Sequence, residues 1–274
     1  MKLPICVLAE ESRFERRLCM DDPKARYSVK LAESEAEVAE AQRLRFQVFN
    51  LELNQGLAGS YLHGRDEDLF DPACDHLLVR ERETQLLVGT YRLQTGPAAR
   101  RRHDYYSASE FDLSPFEPLR RETVEVGRAC IHAGHRNTRV LVLLWRGIAA
   151  YLVMHRARYV LGCSSLASQN EAEGLSLFEA LKSAHFAPAD FRTSPWPDHQ
   201  CRRPAVLPDP PRVPGLFGAY LSLGAFVAAE PAIDRVFGTI DFLTFLDLRC
   251  LDRRAAHAYL GSPWAELLTE FAEP

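Results

Sequence analysis

Apolar and polar residues along the chain change their period several times, and each change marks an element. Tyr27 to Ala32 alternates, the pattern of a half-buried strand. Ser34-Glu35-Ala36-Glu37 follows as a capping box, in which the Ser34 hydroxyl and the Glu37 carboxylate serve the free N–H groups of a first helical turn. The helix behind it carries Val38, Ala41, Leu44 and Val48 and runs to about Leu51. Arg45 and Phe49, four apart, share a face. Asn54 to Asp71 loses the period and ends in the acidic group Asp66, Glu67, Asp68 and Asp71. Asp75 to Glu81 and Leu86 to Thr95 read as antiparallel strands around a tight turn at Arg82 to Gln85.

Pro97 to Pro118 is a long connection containing Arg100-Arg101-Arg102 and Tyr105-Tyr106. Thr123 to His132 is a buried strand interrupted by two charges, Glu125 and Arg128, that packing does not require. A basic turn, Ala133 to Asn137, leads into a helix with Val140, Leu143, Leu144, Gly147, Ile148 and Tyr151 at helical spacing. A helix N-terminus that follows a strand in this way is built to hold an anion, most simply a phosphate.

Arg158 to Ser165 reads as a further strand and Glu171 to Ala184 as a helix. Pro188 to Pro214 carries eight prolines and has the length of a lid or binding loop. Leu216 to Leu223 is a short apolar helix closed by Gly224. Phe226 to Ala229 and Asp241 to Arg249 read as closing strands, and the last twenty or so residues as a terminal helix. The order predicts an α/β fold, an α+β mixed sheet flanked by helices. Residues 1–26 form a flexible arm, 27–250 one domain and 251–274 a helical extension.

Composition narrows the class. Of 274 residues 47% are hydrophobic, ample for a core, and the formal net charge of −4 excludes a general nucleic-acid binder. Seven scattered cysteines show no C-x-x-C and no ligand spacing, which fits reduced thiols in a cytoplasmic protein and predicts no metal. The longest uncharged run, Val213 to Ala229, is interrupted by Pro214, Gly215, Gly218 and Gly224 and is shorter than the roughly 20 residues of a spanning helix. A soluble protein is expected, with peripheral contact at the inner membrane left open.

Several motifs, in order, carry a resemblance: Arg45-x-x-x-Phe49, Asp68-x-x-Asp71, Arg92-Leu93, Glu125-Val126-Gly127-Arg128, and the tail Tyr220-Leu-x-Leu-Gly-Ala, Pro231 and Asp241-Phe242. The chain resembles the GNAT-like N-acyltransferases related to acyl-homoserine-lactone synthases, and within them the ornithine N-acyltransferases. The resemblance covers residues 27 to 250. It implies a GNAT-like acyl-CoA N-acyltransferase fold and transfer of a (3-hydroxy)acyl chain from acyl carrier protein to the α-amino group of ornithine. It implies no bound cofactor. Gly127 stands where lactone synthases have Ser. Arg136-Asn137-Thr138-Arg139 replaces the coenzyme-A turn Q/R-x-x-G-x-G/A, which favours a carrier-protein donor over acyl-CoA.

Direct attack of an amine on a thioester needs a neutral amine, a polarised carbonyl and a route for the proton. No G-x-S-x-G elbow offers a covalent alternative. Glu125 is the candidate base, its pKa raised by desolvation; it reads alternatively as a salt-bridge partner of Arg128 or Arg92. Glu125 and Arg128, the second catalytic candidate, share a face only across a bulge, for which Gly127 is the natural place. Arg45 and Phe49 are expected at the cleft. Asp68 and Asp71 read as a seat for the substrate amine or as anchors of their loop through Arg92. His132, His135, Arg136 and Asn137 are assigned to the donor's phosphopantetheine, and Arg100 to Arg102 read as a carrier dock or a solvated loop. Competing functions are the same transfer to glycine, tyrosine or a homoserine lactone precursor, and a non-catalytic acyl-carrier or lipid-binding protein.

Overall fold

The computed structural model describes residues 25–261 and Leu268. Its frame is one mixed sheet with strands in the order β1-β2-β3-β4-β5-β8-β6, and β7 beside β8. These are β1 (Tyr27–Leu31), β2 (Asp75–Glu81), β3 (Leu87–Thr95), β4 (Thr123–Ile131), β5 (Tyr159–Leu166), β6 (Phe226–Val227), β7 (Ala232–Asp234) and β8 (Thr239–Asp247). The helices are α1 (Glu35–Phe46), α2 (Gly96–Arg101), α3 (Thr138–Met154), α4 (Glu171–His185), α5 (Gly215–Ser222) and α6 (Arg253–Leu260).

The helices start where the sequence signals them. Ser34 accepts the Glu37 N–H at 3.3 Å, and Glu37 reaches back to the N–H of Glu33 at 2.9 Å, one residue beyond the usual capping-box partner. The Asn137 side chain accepts the N–H groups of Arg139 (3.0 Å) and Val140 (3.2 Å) at the start of α3. On one face of the sheet, Val140, Leu144 and Ile148 of α3 pack with Val29, Leu77 and Val79. On the other, Ala41, Leu44 and Val48 pack with Leu78 and Leu87. α4 brings Leu177 and Phe178 against Ile240 and Phe242 of β8. Each such side chain contributes about 1.5–3 kcal/mol of burial. Covered on both faces, β2 and β3 are buried almost throughout, polar residues such as His76, Thr90, Arg92 and Gln94 included.

Two irregularities position the site. The β4–β5 pair is the parallel one, and it lasts three residue pairs, Thr123↔Tyr159, Val124↔Val160 and Glu125↔Leu161. β5 then continues antiparallel to β8 along its whole length. The sheet therefore forks beyond Glu125. At the crotch, a Cβ on Gly162 would lie 2.3 Å from the Val126 carbonyl oxygen, so only glycine lets the strands part there. The second irregularity is the expected bulge. Thr90 pairs with Cys130 and Arg92 with Gly127, which puts one extra residue on β4. The left-handed residue is Arg128 (φ 51°), not Gly127. Arg128 is held there by acidic partners and by the rings of Tyr106 (4.7 Å) and Phe237 (4.3 Å), contacts that offset the roughly 1–2 kcal/mol of a left-handed side-chain residue.

Other departures are local. The 97–118 connection contains α2 and the 3-10 turns Tyr106–Ser109 and Ser114–Glu122, and Ala232–Asp234 adds a strand that no alternation announced. α6 packs on α3, with Tyr259 stacked on Trp145 (5.6 Å) and Arg146 Nε donating to the Leu260 carbonyl (2.9 Å). Most of the expected arm, 1–26, and the end of the extension lie outside the described residues. Among the described residues no helix is long and apolar enough to cross a membrane, and Cys74, Cys130, Cys163, Cys201 and Cys250 are free thiols.

Candidate active site

The fork between β4 and β5 opens a cavity of about 260 Å³. Its apolar wall includes Val126, Val160, Leu216, Phe217, Tyr220 and Leu246; its polar wall includes Glu125, Arg128, Cys163 and Asp241. Phe49 lines it as expected, set edge-on against Phe237 at 5.3 Å. Gly127 also lines it, and no heavy atom lies within 4 Å of the position a Cβ would take.

Glu125 is the last residue of the paired seam. Oε1 accepts from the Ser107 N–H (2.8 Å) and the Ser107 hydroxyl (2.6 Å), and Oε2 accepts from the Tyr106 N–H (2.7 Å). A carboxylate has about four acceptor sites, so one remains, on Oε2. Burial raises the carboxyl above its ordinary range, opposed by the hydrogen bonds from Ser107 and Tyr106 and by the charge of Arg92. The expected salt bridge with Arg92 or Arg128 is not formed, because both arginines turn the other way.

They turn toward the aspartates. Arg45 is completely buried and reaches Asp66 Oδ2 (2.8 Å), Asp71 Oδ1 (2.9 Å), Asp71 Oδ2 (2.8 Å) and the Asp66 carbonyl. Arg92 holds both oxygens of Asp68 at 2.7 Å and Asp71 at 3.0 Å. Arg128 donates to Asp68 at 3.1 Å and stands 3.5 Å from Asp66. Three guanidinium groups thus face three carboxylates, and of the two readings for Asp68 and Asp71 the geometry displays the loop anchor. Burial works to raise the Asp71 carboxyl, but Arg45, then Arg92, hold it far below its usual range; Arg92 and Arg128 do the same for Asp68. Arg45 lies beneath the cleft rather than on its wall, so it shares a face with Phe49 without sharing the cavity. His76, also buried here, is pushed down to about 4 by burial and by Arg45, and stays neutral.

A second acidic group stands on the far side of Glu125. The Ser107 hydroxyl that binds Glu125 lies 3.5 Å from Cys163 Sγ, which in turn lies 3.9 Å from Glu110 Oε2. The ligand atoms of Glu110, Cys163 and Asp241 all lie within 4.8 Å of one another, a set of metal-ligand types. Asp234 adjoins it, accepting from Tyr106 Oη (2.7 Å) and the N–H groups of Val236 and Phe237 (2.8 Å each). Glu110 is pushed well above the carboxylate range by burial, then by Asp241 and Asp234. Asp241 is pushed up to about 6 by burial, with Ser165 easing and Asp234 adding to the shift. Burial, Glu110 and Asp241 also push the Cys163 thiol up, which keeps it protonated in the absence of a metal ion.

The four residues assigned to the donor phosphate gather at the end of β4 and are not on the cavity wall. His132 Nδ1 accepts from the Gly134 N–H (3.2 Å); His135 Nδ1 meets Tyr27 Oη (3.1 Å); Asn137 donates to the same Tyr27 oxygen (3.3 Å) while capping α3. Arg136 pairs with Glu52 and donates Nε to the Ile131 carbonyl (3.1 Å). Tyr106 stands out in the sequence only as half of the Tyr105-Tyr106 pair and has no assigned role, and Ser107 and Glu110 have no signal, since their connection has no period. Asp241 carried a family match but no assigned role.

Comparison with known proteins agrees with this geometry. The Acetyltransferase (GNAT) domain family matches residues 44–146. The chain is 33% identical over 253 residues to the L-ornithine N(alpha)-acyltransferase of Agrobacterium fabrum, covering 85% of this chain and 84% of that one. It is 29% identical over 250 residues to the enzyme of that name from Rhodobacter capsulatus, covering 85% and 94%. Among solved structures, the AHL synthase LasI superposes with a TM-score of 0.47 at 13% identity, covering 86% of this chain and 95% of that one. With a GNAT-like fold, the chain belongs to the L-ornithine N(alpha)-acyltransferase family.

Proposed function

We propose that this acyltransferase takes a (3-hydroxy)acyl group from the thioester of acyl carrier protein and joins it to the α-amino group of ornithine. The products are a free pantetheine thiol and N-acyl-ornithine, the lyso form of an ornithine lipid. The observation that carries the reading is Glu125: buried at the crotch of the fork, on the cavity wall, with one acceptor position of its carboxylate unfilled. That position receives a proton from the acceptor's nitrogen, directly or through a water. A pKa raised toward neutrality suits the task. The neutral nitrogen attacks the thioester carbon, the C–S bond breaks, and the departing sulfur takes up a proton.

Backbone displaced from the β3 ladder at Gly127 and Arg128 is the proposed donor to the thioester oxygen. The apolar wall from Leu216 to Tyr220 is the proposed seat of the acyl chain. Arg100, Arg101 and Arg102 are all exposed at the end of α2, where they would steer an acidic carrier.

The test is mass spectrometry on purified enzyme given 3-hydroxyacyl carrier protein and mixed amino acids. N-acyl-ornithine is expected, and its formation should collapse in Glu125→Gln while carrier binding persists. A different N-acyl amino acid overturns the acceptor. Transfer from acyl-coenzyme A but not from the carrier overturns the donor.

A further inference from the structure

We propose that Asp241, backed by Glu110, receives the second, distal ammonium group of the acceptor, so that this end of the cavity selects a diamino acid. The proposal rests on the reading above, in which an amino acid lies in the fork with its α-amine at Glu125.

Asp241 is only 2% exposed and Glu110 only 1%, yet Asp241 Oδ1 and Glu110 Oε1 have no hydrogen-bond partner. Asp241 lines the cavity, and the two carboxyl groups reach within 4.8 Å of each other beside Cys163. Two carboxyl groups side by side in the interior, each with an oxygen left without a partner, are costly unless a proton or a cation lies between them. Among the described residues no side chain supplies the cation. Arg128, whose charge reaches both, hydrogen-bonds to Asp68. Asp234 is better satisfied than either, accepting from Tyr106 and two backbone N–H groups.

An alkylammonium has the three N–H donors and single positive charge the site lacks. Glu125 and Asp241 line the same cavity, and a continuous chain of contacts through Ser107 and Cys163 links Glu125 to Glu110, so the two carboxylate positions can address the two ends of one small diamine.

The test compares ornithine with 2-aminopentanoate, the same carbon chain without the distal amine, as acceptors for the wild type, Asp241→Asn and Glu110→Gln. A site that pairs a buried charge rejects the analogue that lacks it, so the wild-type kcat/KM ratio should exceed about 100 in favour of ornithine. Asp241→Asn should reduce that ratio at least about thirtyfold, mainly through KM for ornithine, and Glu110→Gln should act in the same direction. Thermal midpoints at or above the wild-type value are expected for both variants, since each removes a repelling carboxylate. An unchanged ratio in the two folded variants overturns the proposal while leaving ornithine acylation in place. So does a divalent metal bound one-to-one by purified wild type and lost in Asp241→Asn. A wild type that acylates neither amino acid overturns the underlying acceptor reading as well.

Discussion

Two groups of buried charge flank Glu125, and they differ in one respect. On the β1–β4 side, Arg45, Arg92 and Arg128 face Asp66, Asp68 and Asp71, and the charges cancel. On the β5–β8 side, Glu110 and Asp241 have no cation of their own. The protonation behaviour follows: Asp68 and Asp71 are held ionised, whereas Glu110, Asp241 and Glu125 resist ionisation. A balanced group is architecture, since it ties the 66–71 loop to α1, β3 and β4. An unbalanced one is incomplete without a ligand.

The sharpest way to break this contrast is at the base between the two groups. Glu125→Gln should reduce single-turnover acyl transfer by about 10²–10⁴, the usual contribution of a general base. The Gln amide also faces the Ser107 donors, so thermal unfolding must be followed in parallel. Next comes the balanced group. Arg45→Ala leaves Asp66 and Asp71 buried without their main partner, and denaturant unfolding should report a loss of about 3–5 kcal/mol. Asp241→Asn, the corresponding removal of one charge on the other side, should not lower stability at all. Equal losses in the two variants would erase the distinction.

Titration sharpens it further. The folded-state pKa of Asp241, about 6, lies above its ordinary 3.8. Between these values the native state holds a proton that the unfolded state has released. Stability from this group is complete below the lower value and falls as pH rises through the upper one, by about 3 kcal/mol in all. Asp68 and Asp71, held below their ordinary range, contribute the opposite slope: their share is present above the ordinary value and lost as pH falls. Denaturation curves of wild type and Asp241→Asn from pH 4 to 8 should therefore diverge, with the variant missing the decline toward neutrality. Added ornithine should stabilise the wild type more at pH 8 than at pH 4. The smallest effect belongs to Gly127→Ala. Its added methyl meets open cavity, so stability should stay within about 0.5 kcal/mol while kcat/KM falls roughly tenfold.

The legible parts of the molecule were those with a local signature. Helical spacing marked α3, alternation and apolar runs marked β1 to β5, and two charges in an apolar strand singled out Glu125 and Arg128. A bulge was required by their spacing, and it is there. Gly127 was the natural place for it, and the left-handed residue beside it is Arg128, whose guanidinium four distant residues hold. The pairing of Arg45 with Asp66 and Asp71 spans 21 and 26 residues, and no local pattern distinguishes those partners from solvent. Ser107 and Glu110 lie in an aperiodic connection that reaches Glu125 only through the tertiary fold. The basic turn after β4 was recognisable as a turn. Its contacts with Tyr27 and Glu52, however, come from segments 108 and 84 residues away.

The seam of three residue pairs between β4 and β5 has a consequence for how such enzymes diversify. Because so few main-chain bonds join the two arms, side chains on one can change with little mechanical effect on the other. The backbone proposed to handle the thioester belongs to β4. Asp241 and Cys163, in contrast, belong to β8 and β5. On the roles proposed above, the base and the thioester backbone sit on one arm of the fork and the distal-amine site on the other, so substitutions confined to β5 and β8 should change the preferred acceptor while leaving Glu125 in place.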